Sequence, residues 1–237
     1  MAVSNQTISH EPSGPASRRW HTLIAGCLCW VLFAMVAWCV KSGLTGSFDE
    51  AGLRLWRDAN LAPLGPIWLG AIVRAVTDIG DWPLRNVFAG AGVIALALLG
   101  RRHSAAVLFF TVVSGWIANS QLKLLFERER PTIVPHLVDA SGLSFPSGHS
   151  FNAALVYLSL ALAFAPFSSR QNVRVAIFAG STGLSIAIAA SRVWLGVHYP
   201  SDVIAGWLAG TGWALIAAAL FLPAADRVGA GLPDPDR

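Results

Sequence analysis

Long stretches of this chain carry no formal charge. No Asp, Glu, Lys or Arg occurs in Thr22–Val40, Asn86–Gly100, Ser104–Leu122, Ala140–Ser169, Val175–Ser191 or Val203–Ala225. An α-helix needs about 20 apolar residues to cross about 30 Å of hydrocarbon, and all of these runs but 86–100 come near that length or exceed it. Trp82–Leu84 can lengthen the short run if Arg85 snorkels toward the interface. In the fourth run only the part after His149 reads as a span, because Ala140–Gly148 is rich in Ser, Gly and Pro and reads as loop. The pattern predicts an all-α, polytopic membrane protein with six transmembrane helices near 22–40, 82–100, 104–122, 149–167, 174–191 and 203–222.

Between the runs, basic residues alternate. Arg18 and Arg19 precede the first span, Arg101 and Arg102 separate the second and third, Arg170 and Arg174 separate the fourth and fifth, and Arg227 follows the sixth. Six crossings place this whole set on one side, which the positive-inside rule makes the cytoplasm. Both termini are then expected inside, in what reads as a bacterial plasma (inner) membrane. The opposite side carries the mixed charges of residues 41–81, with 123–148 and 192–202. Residues 41–81 are too polar, and too broken by Gly43, Gly46, Pro63 and Pro66, to span. Within them Phe48–Asn60 reads either as an amphipathic helix on the outer surface or as an ordered loop. The expected organisation is a disordered cytoplasmic N-terminus over 1–19, one six-helix membrane domain over 20–222, and a cytoplasmic C-terminal tail over 223–237. The first run is nearly 20 residues long and closes on no Ala-x-Ala site, so it reads as a span rather than a cleaved signal.

Composition agrees. Of 237 residues, 54% are hydrophobic and 13% charged, about half the charged share of an ordinary soluble domain at roughly 25%. Mean hydropathy is +0.56. Disorder is excluded as the main state. The excess of four positive charges is small and not gathered into a patch, so no nucleic-acid partner is expected. Cys27, Cys29 and Cys39 share one apolar run and read as packing residues rather than a disulfide framework. No Cys/His cluster has zinc spacing.

Three short segments hold polar groups that a membrane protein does not place idly: Lys123-Leu-Leu-Phe-Glu-Arg-Glu-Arg130-Pro131, Pro146-Ser147-Gly148-His149, and Ser191-Arg192 followed by His198 and Asp202. In the six-span arrangement all of them fall at outward helix ends. Lys123 and Arg130 are two turns apart, so they line one face if their helix continues outward. With Arg192 they make three cations suited to a dianionic ligand such as a phosphate, whereas Lys123 alone reads as an anchor at lipid headgroups. A helix start at Ser147-Gly148 offers unpaired N–H groups, close backbone approach and a hydroxyl. His149 and His198 can exchange protons, or attack as neutral imidazole. Asp202, in the first turn of a helix begun by Pro200, can cap that helix or reach back to His198, fixing its tautomer. Glu127 and Glu129 either pair with Arg128, leaving Arg130 free, or screen the site. His136 and Asp139 read as solvated loop residues.

These segments, K-x6-RP, PSGH and SR-x5-H-x3-D, are complete, in order and correctly spaced over 123–202. The chain thereby resembles the type 2 phosphatidic acid phosphatase superfamily, the integral-membrane lipid phosphate phosphatases. The resemblance implies His198 as the nucleophile that takes the phosphoryl group, Asp202 as its orienting partner, and His149 as the acid to the leaving oxygen and then the base to water. It implies Lys123, Arg130, Ser147, Gly148 and Arg192 as phosphate-binding residues. It further implies no metal and no cofactor, with a lipid phosphate or prenyl diphosphate as substrate among the membrane lipids. A lipid phosphotransferase would use the same residues. A transporter would need ionisable groups deep in the spans, where this sequence places almost none.

Overall fold

The structure is a computed structural model and describes residues 15–222. Those residues form eight α-helices and one short 3₁₀ turn: α1 (Pro15–Lys41), α2 (Gly46–Arg54), α3 (Ile67–Ile79), α4 (Trp82–Leu98), α5 (Arg102–Phe126), α6 (Gly148–Phe164), the 3₁₀ turn Ala165–Phe167, α7 (Gln171–Trp194) and α8 (Pro200–Phe221). The molecule is all-helical among the described residues. Five helices are long and apolar enough to cross a membrane: those over Ala16–Lys41, Arg102–Phe126, Gly148–Phe167, Gln171–Trp194 and Pro200–Phe221. The apolar α4 is shorter, at 17 residues.

Helix α6 is the axis of the bundle. Phe151, Ala153, Ala154, Leu155 and Val156 are all fully buried, as expected of a helix that is apolar all round. By contrast, α1 leaves Trp20, Ile24, Leu28, Val31, Met35 and Trp38 exposed. Those positions recur every three or four residues, so they form one stripe. An apolar stripe of that length would be a liability in water and is the lipid-facing side in a bilayer. The opposite face of α1 buries Phe33 and Ala37 against Phe145, Phe151 and Ala209.

The α6–α8 contact is close because α8 has no side chain in the way. A Cβ built on Gly210 would lie 2.1 Å from the Phe151 carbonyl oxygen, and one on Gly206 would lie 2.5 Å from that of Ser147. Gly206 and Gly210 are one turn apart, a small-residue stripe of the kind that lets membrane helices approach backbone to backbone. The approach is completed at the helix starts, where the Ser147 N–H donates to the Asp202 carbonyl at 3.0 Å.

Several sequence expectations change here. Residues 15–19 are helical, because α1 begins at Pro15; the rest of the expected disordered N-terminus and the tail over 223–237 lie outside the described residues. The segment 41–81 contains two helices. α2 packs into the bundle: Leu53 is fully buried with Val134, Ala189, Val193 and Val203, and Asp49 is 1% exposed. α3 is a second short amphipathic helix, with Ile67, Trp68 and Ile72 exposed and its end fixed by Tyr157 Oη donating to the Ile79 carbonyl at 2.7 Å. Arg85 turns back toward the start of α4 and stays buried, donating to the Gly80 carbonyl at 3.4 Å.

Candidate active site

The polar segments meet at one end of the bundle, around a cavity of about 340 Å³. Lys123, Arg130, Gly148, His149, Arg192 and His198 line it, together with Thr77, Asp78, Asp81 and Asp139. They arrive from separate parts of the fold: Lys123 from the last turn of α5, Gly148 and His149 from the first turn of α6, Arg192 from the last turn of α7, and His198 from the α7–α8 turn.

Helix α5 does not carry Arg130 outward beside Lys123. It ends at Phe126, where Glu127 takes the left-handed conformation (φ 47°). Arg130 therefore comes from the following loop, and backbone carbonyls fix its guanidinium. Nε donates to Gly142 O at 3.0 Å, Nη2 to Ser141 O at 2.8 Å, and Nη1 to Val197 O at 2.8 Å. Lys123 Nζ donates to Leu143 O at 2.6 Å, and Arg192 Nη1 to Thr77 Oγ1 at 2.9 Å. All these acceptors are neutral. The carboxylates of Asp78 and Asp81 stand at the cavity wall without an ion pair to any of the three cations. Arg192 is 5% exposed, and its Nε has no partner at all. Three cations held by neutral groups around one cavity retain most of their attraction for an incoming anion.

His198 is buried between two different environments. Its Nδ1 faces Asp202 Oδ2 at 3.4 Å and Ser144 Oγ at 3.4 Å. Its Nε2 lies 3.2 Å from Arg130 Nη1. A guanidinium can only donate, so that contact requires Nε2 to be the unprotonated nitrogen, with the proton on Nδ1, toward the carboxylate. Burial drives the imidazole pKa down to about 4, against the opposing pull of Asp202. The ring is therefore neutral near pH 7, with a lone pair directed at the cavity.

Asp202 is fully buried and saturated with donors. Oδ1 accepts from Arg128 Nη1 at 2.6 Å, while Oδ2 accepts from the Tyr199 N–H at 3.0 Å and from Ser144 Oγ. The two sequence readings of Asp202, helix cap and histidine partner, thus coexist in one carboxylate. Arg128 does not pair with Glu127 or Glu129. It turns inward, bridging Asp202 and, through Nη2 at 2.8 Å, Asp49, with its guanidinium 4.1 Å from the centre of the Tyr199 ring. Burial weakens its charge, but Asp202 and Asp49 outweigh that and hold its pKa above the usual arginine value.

Ser147 differs from expectation. Its hydroxyl is fully buried as the N-cap of α6, accepting from the Ser150 N–H at 3.5 Å and from Ser150 Oγ at 3.0 Å, and it does not line the cavity. Gly148 and His149, which follow it, do. His149 Nε2 stands 3.7 Å from Asp81 Oδ1. His136 folds onto its own loop, bonding to Pro131 O at 2.8 Å, whereas Asp139 reaches the cavity wall. Asp49, Thr77, Asp81 and Ser144 escape the sequence reading. They sit outside the motifs, and only the packing of α2 and α3 onto the bundle brings the first three to the site.

Known proteins resemble this chain. Residues 104–225 match the PAP2 superfamily. Phosphatidylglycerophosphatase B of Bacillus subtilis (strain 168) is 35% identical over 188 residues, covering 76% of this chain and 87% of that protein. The lipid A 1-phosphatase of Rhizobium johnstonii is 38% identical over 126 residues (49% of this chain, 47% of that one). The undecaprenyl-diphosphatase BcrC of Bacillus subtilis is 30% identical over 122 (47% and 56%). The matches span about half the length of these last two proteins. The crystal structure of a transmembrane PAP2 type phosphatidylglycerolphosphate phosphatase from Bacillus subtilis superposes with a TM-score of 0.69 at 25% identity, covering 81% of this chain and 93% of that one. With the match to the superfamily covering half the chain and a relative aligned over most of its own length, the chain belongs to the PAP2 superfamily and is an integral-membrane phosphatase.

Proposed function

We propose that this protein removes the terminal phosphate of a lipid phosphate or lipid diphosphate through a phosphohistidine on His198. The observation that carries this reading is the His198 ring itself: neutral, with Nδ1 on a buried carboxylate and Nε2 open to a cavity lined by three cations. The substrates named for the relatives, phosphatidylglycerophosphate, lipid A and undecaprenyl diphosphate, support a lipid as the phosphate's carrier.

The phosphoryl oxygens sit among Lys123, Arg130, Arg192 and the N–H groups at Gly148, with Ser147 acting as the cap that aims that helix start. The Nε2 lone pair of His198 attacks phosphorus, the bond to the leaving oxygen breaks, and His149 supplies the proton that oxygen takes. Water then attacks the phosphohistidine and gives a proton to His149. The P–N bond breaks, its electron pair returns to Nε2, and inorganic phosphate leaves. Asp202 holds the Nδ1 proton throughout and supports the ring as positive charge develops on it. The cations stabilise the charge on the equatorial oxygens. Because this charge is met by side chains, the reaction is metal-independent, and EDTA leaves phosphate release unchanged.

The membrane domain spans 20–222 with six crossings, α4 being the sixth; its 17 residues measure about 25 Å, against about 30 Å of hydrocarbon. Residues 1–19 and 223–237, on either side of this domain, lie in the cytoplasm, and the cavity opens on the outer face of a bacterial plasma membrane. Phosphate release from phosphatidic acid, phosphatidylglycerophosphate and a polyprenyl diphosphate, measured with wild type and His198→Ala, tests the reading. At least one lipid is expected to be hydrolysed by wild type and to lose more than about 10³-fold in rate with the variant; equal release by both proteins overturns the nucleophile.

A further inference from the structure

Behind the cavity, on the far side of Asp202, lies a charge pair that the proposed reaction does not use. Asp49 of α2 is 1% exposed and accepts three kinds of donor: the Ser201 N–H at 2.9 Å, Ser201 Oγ at 2.7 Å, and Arg128 Nη2 at 2.8 Å. Arg128 shares its other edge between Asp202 Oδ1 at 2.6 Å and Ser201 Oγ at 2.8 Å. Neither Asp49 nor Arg128 lines the cavity. A buried ion pair is costly to form, and removing one partner strands the other's charge.

We propose that Asp49 and Arg128 are positioning residues that set the basicity of His198 through Asp202: Arg128 draws charge from the carboxylate, and Asp49 limits how much it draws. The inference rests on His198 being the nucleophile. Its physical content is a balance. Asp202 must be negative enough to hold the Nδ1 proton, but not so negative that the ring is protonated and its Nε2 lone pair lost. Arg128 lowers the basicity of Asp202 and hence of the His198 ring it supports, since opposite charge stabilises the ionised carboxylate. Asp49 splits the guanidinium between two carboxylates and so weakens that effect.

Other charged or titratable groups also surround the His198–Asp202 pair. They are Lys123 of α5, Arg130 of the loop after it, His149 of α6, Arg192 of α7, and Tyr199 beside Asp202. All five keep their own charge and identity when Asp49 or Arg128 is changed, although Arg128→Gln also removes the cation over the Tyr199 ring. The two substitutions are therefore expected to act in opposite directions, which loss of packing alone does not do. Arg128→Gln leaves Asp202 more basic and raises the acid limb of the kcat/KM profile by about 1 pH unit. Asp49→Asn leaves Arg128 wholly on Asp202 and moves the same limb down. Arg128→Lys keeps the charge and keeps the limb near its wild-type position, with a lower kcat because Lys cannot bridge two carboxylates in one plane. KM stays within about twofold in all three, since the cavity wall is untouched.

The test is the pH dependence of dioctanoyl phosphatidic acid hydrolysis by the purified full chain and these three variants, with His198→Ala alongside. Opposite shifts for Arg128→Gln and Asp49→Asn support the proposal. Unshifted limbs, or shifts of the same sign, overturn it while the inactivity of His198→Ala leaves the nucleophile standing. Full activity in His198→Ala overturns both. Should Arg128→Gln fail to fold, Asp49→Asn against Arg128→Lys carries the same comparison, and a wild-type profile in Asp49→Asn is then the overturning result.

Discussion

His198 is 1% exposed, and that burial shapes both its chemistry and its contribution to stability. Its pKa lies near 4 in the folded protein, against 6.5 for the free side chain. The unfolded chain therefore binds more protons between those values, and stability rises with pH across that window. The sign is that of a group buried neutral: the stabilisation is present above pH 6.5 and is lost as pH falls toward 4. Thermal unfolding in detergent should show wild type losing stability over this range and His198→Asn losing less. A second residue-scale expectation concerns Thr77, whose Oγ1 is the one hydrogen-bond acceptor of the Arg192 guanidinium among the described residues. Thr77→Val keeps the shape but strands a buried charge, for which hydrogen bonds of about 1.5–3 kcal/mol are typical. A fall of roughly tenfold or more in kcat/KM is expected, with Thr77→Ser restoring most of it. Arg128 marks the limit of reading at this scale. Two glutamates flank it in sequence, yet it pairs with Asp49 and Asp202, because the chain breaks from helix at Glu127 and turns the guanidinium inward.

At the scale of elements, the site depends on how closely two helix starts approach. Gly206 and Gly210 let α8 lie against the backbone of α6, and this places His149 and His198 on one cavity. Gly210→Val would put carbon where the Phe151 carbonyl stands, forcing the helices apart. Overpacking of this kind costs about 1–3 kcal/mol. The variant should melt lower and lose activity out of proportion, while Gly90→Val, at a position where a Cβ meets nothing within 4 Å, should leave both nearly unchanged. The long helices were readable because each writes a run of uncharged residues: α5 was expected over 104–122 and runs 102–126, and α7 was expected over 174–191 and runs 171–194. The ends lengthened where charged residues such as Lys123 and Arg192 continue a helix beyond its apolar core. Of the short helices, α2 overlaps Phe48–Asn60, which reads as either a helix or a loop, and α3 goes unread, since nine and thirteen residues of mixed polarity carry little periodic signal.

For the whole molecule, orientation is the testable quantity. If the cavity opens outward and the α4–α5 turn lies inside, then Asp139 and Arg102 are on opposite sides of the membrane. With Cys27, Cys29 and Cys39 replaced by serine, Asp139→Cys should react with a membrane-impermeant maleimide in intact cells, and Arg102→Cys only after lysis. Labelling of both from outside would reverse or break the proposed topology. The one-dimensional order of residues was enough to reveal an all-helical membrane chain and three polar segments bearing phosphoryl chemistry. Hydrophobic run length and motif spacing are local properties and survive without folding. It took the folded bundle to show which nitrogen of His198 faces the cavity, that Ser147 caps a helix and lies outside the cavity lining, and that Asp49 and Thr77 come from a distant polar stretch to meet Arg128 and Arg192. Those outcomes depend on which side chains meet once water is excluded, and no spacing along the chain encodes a meeting between residues 49 and 201.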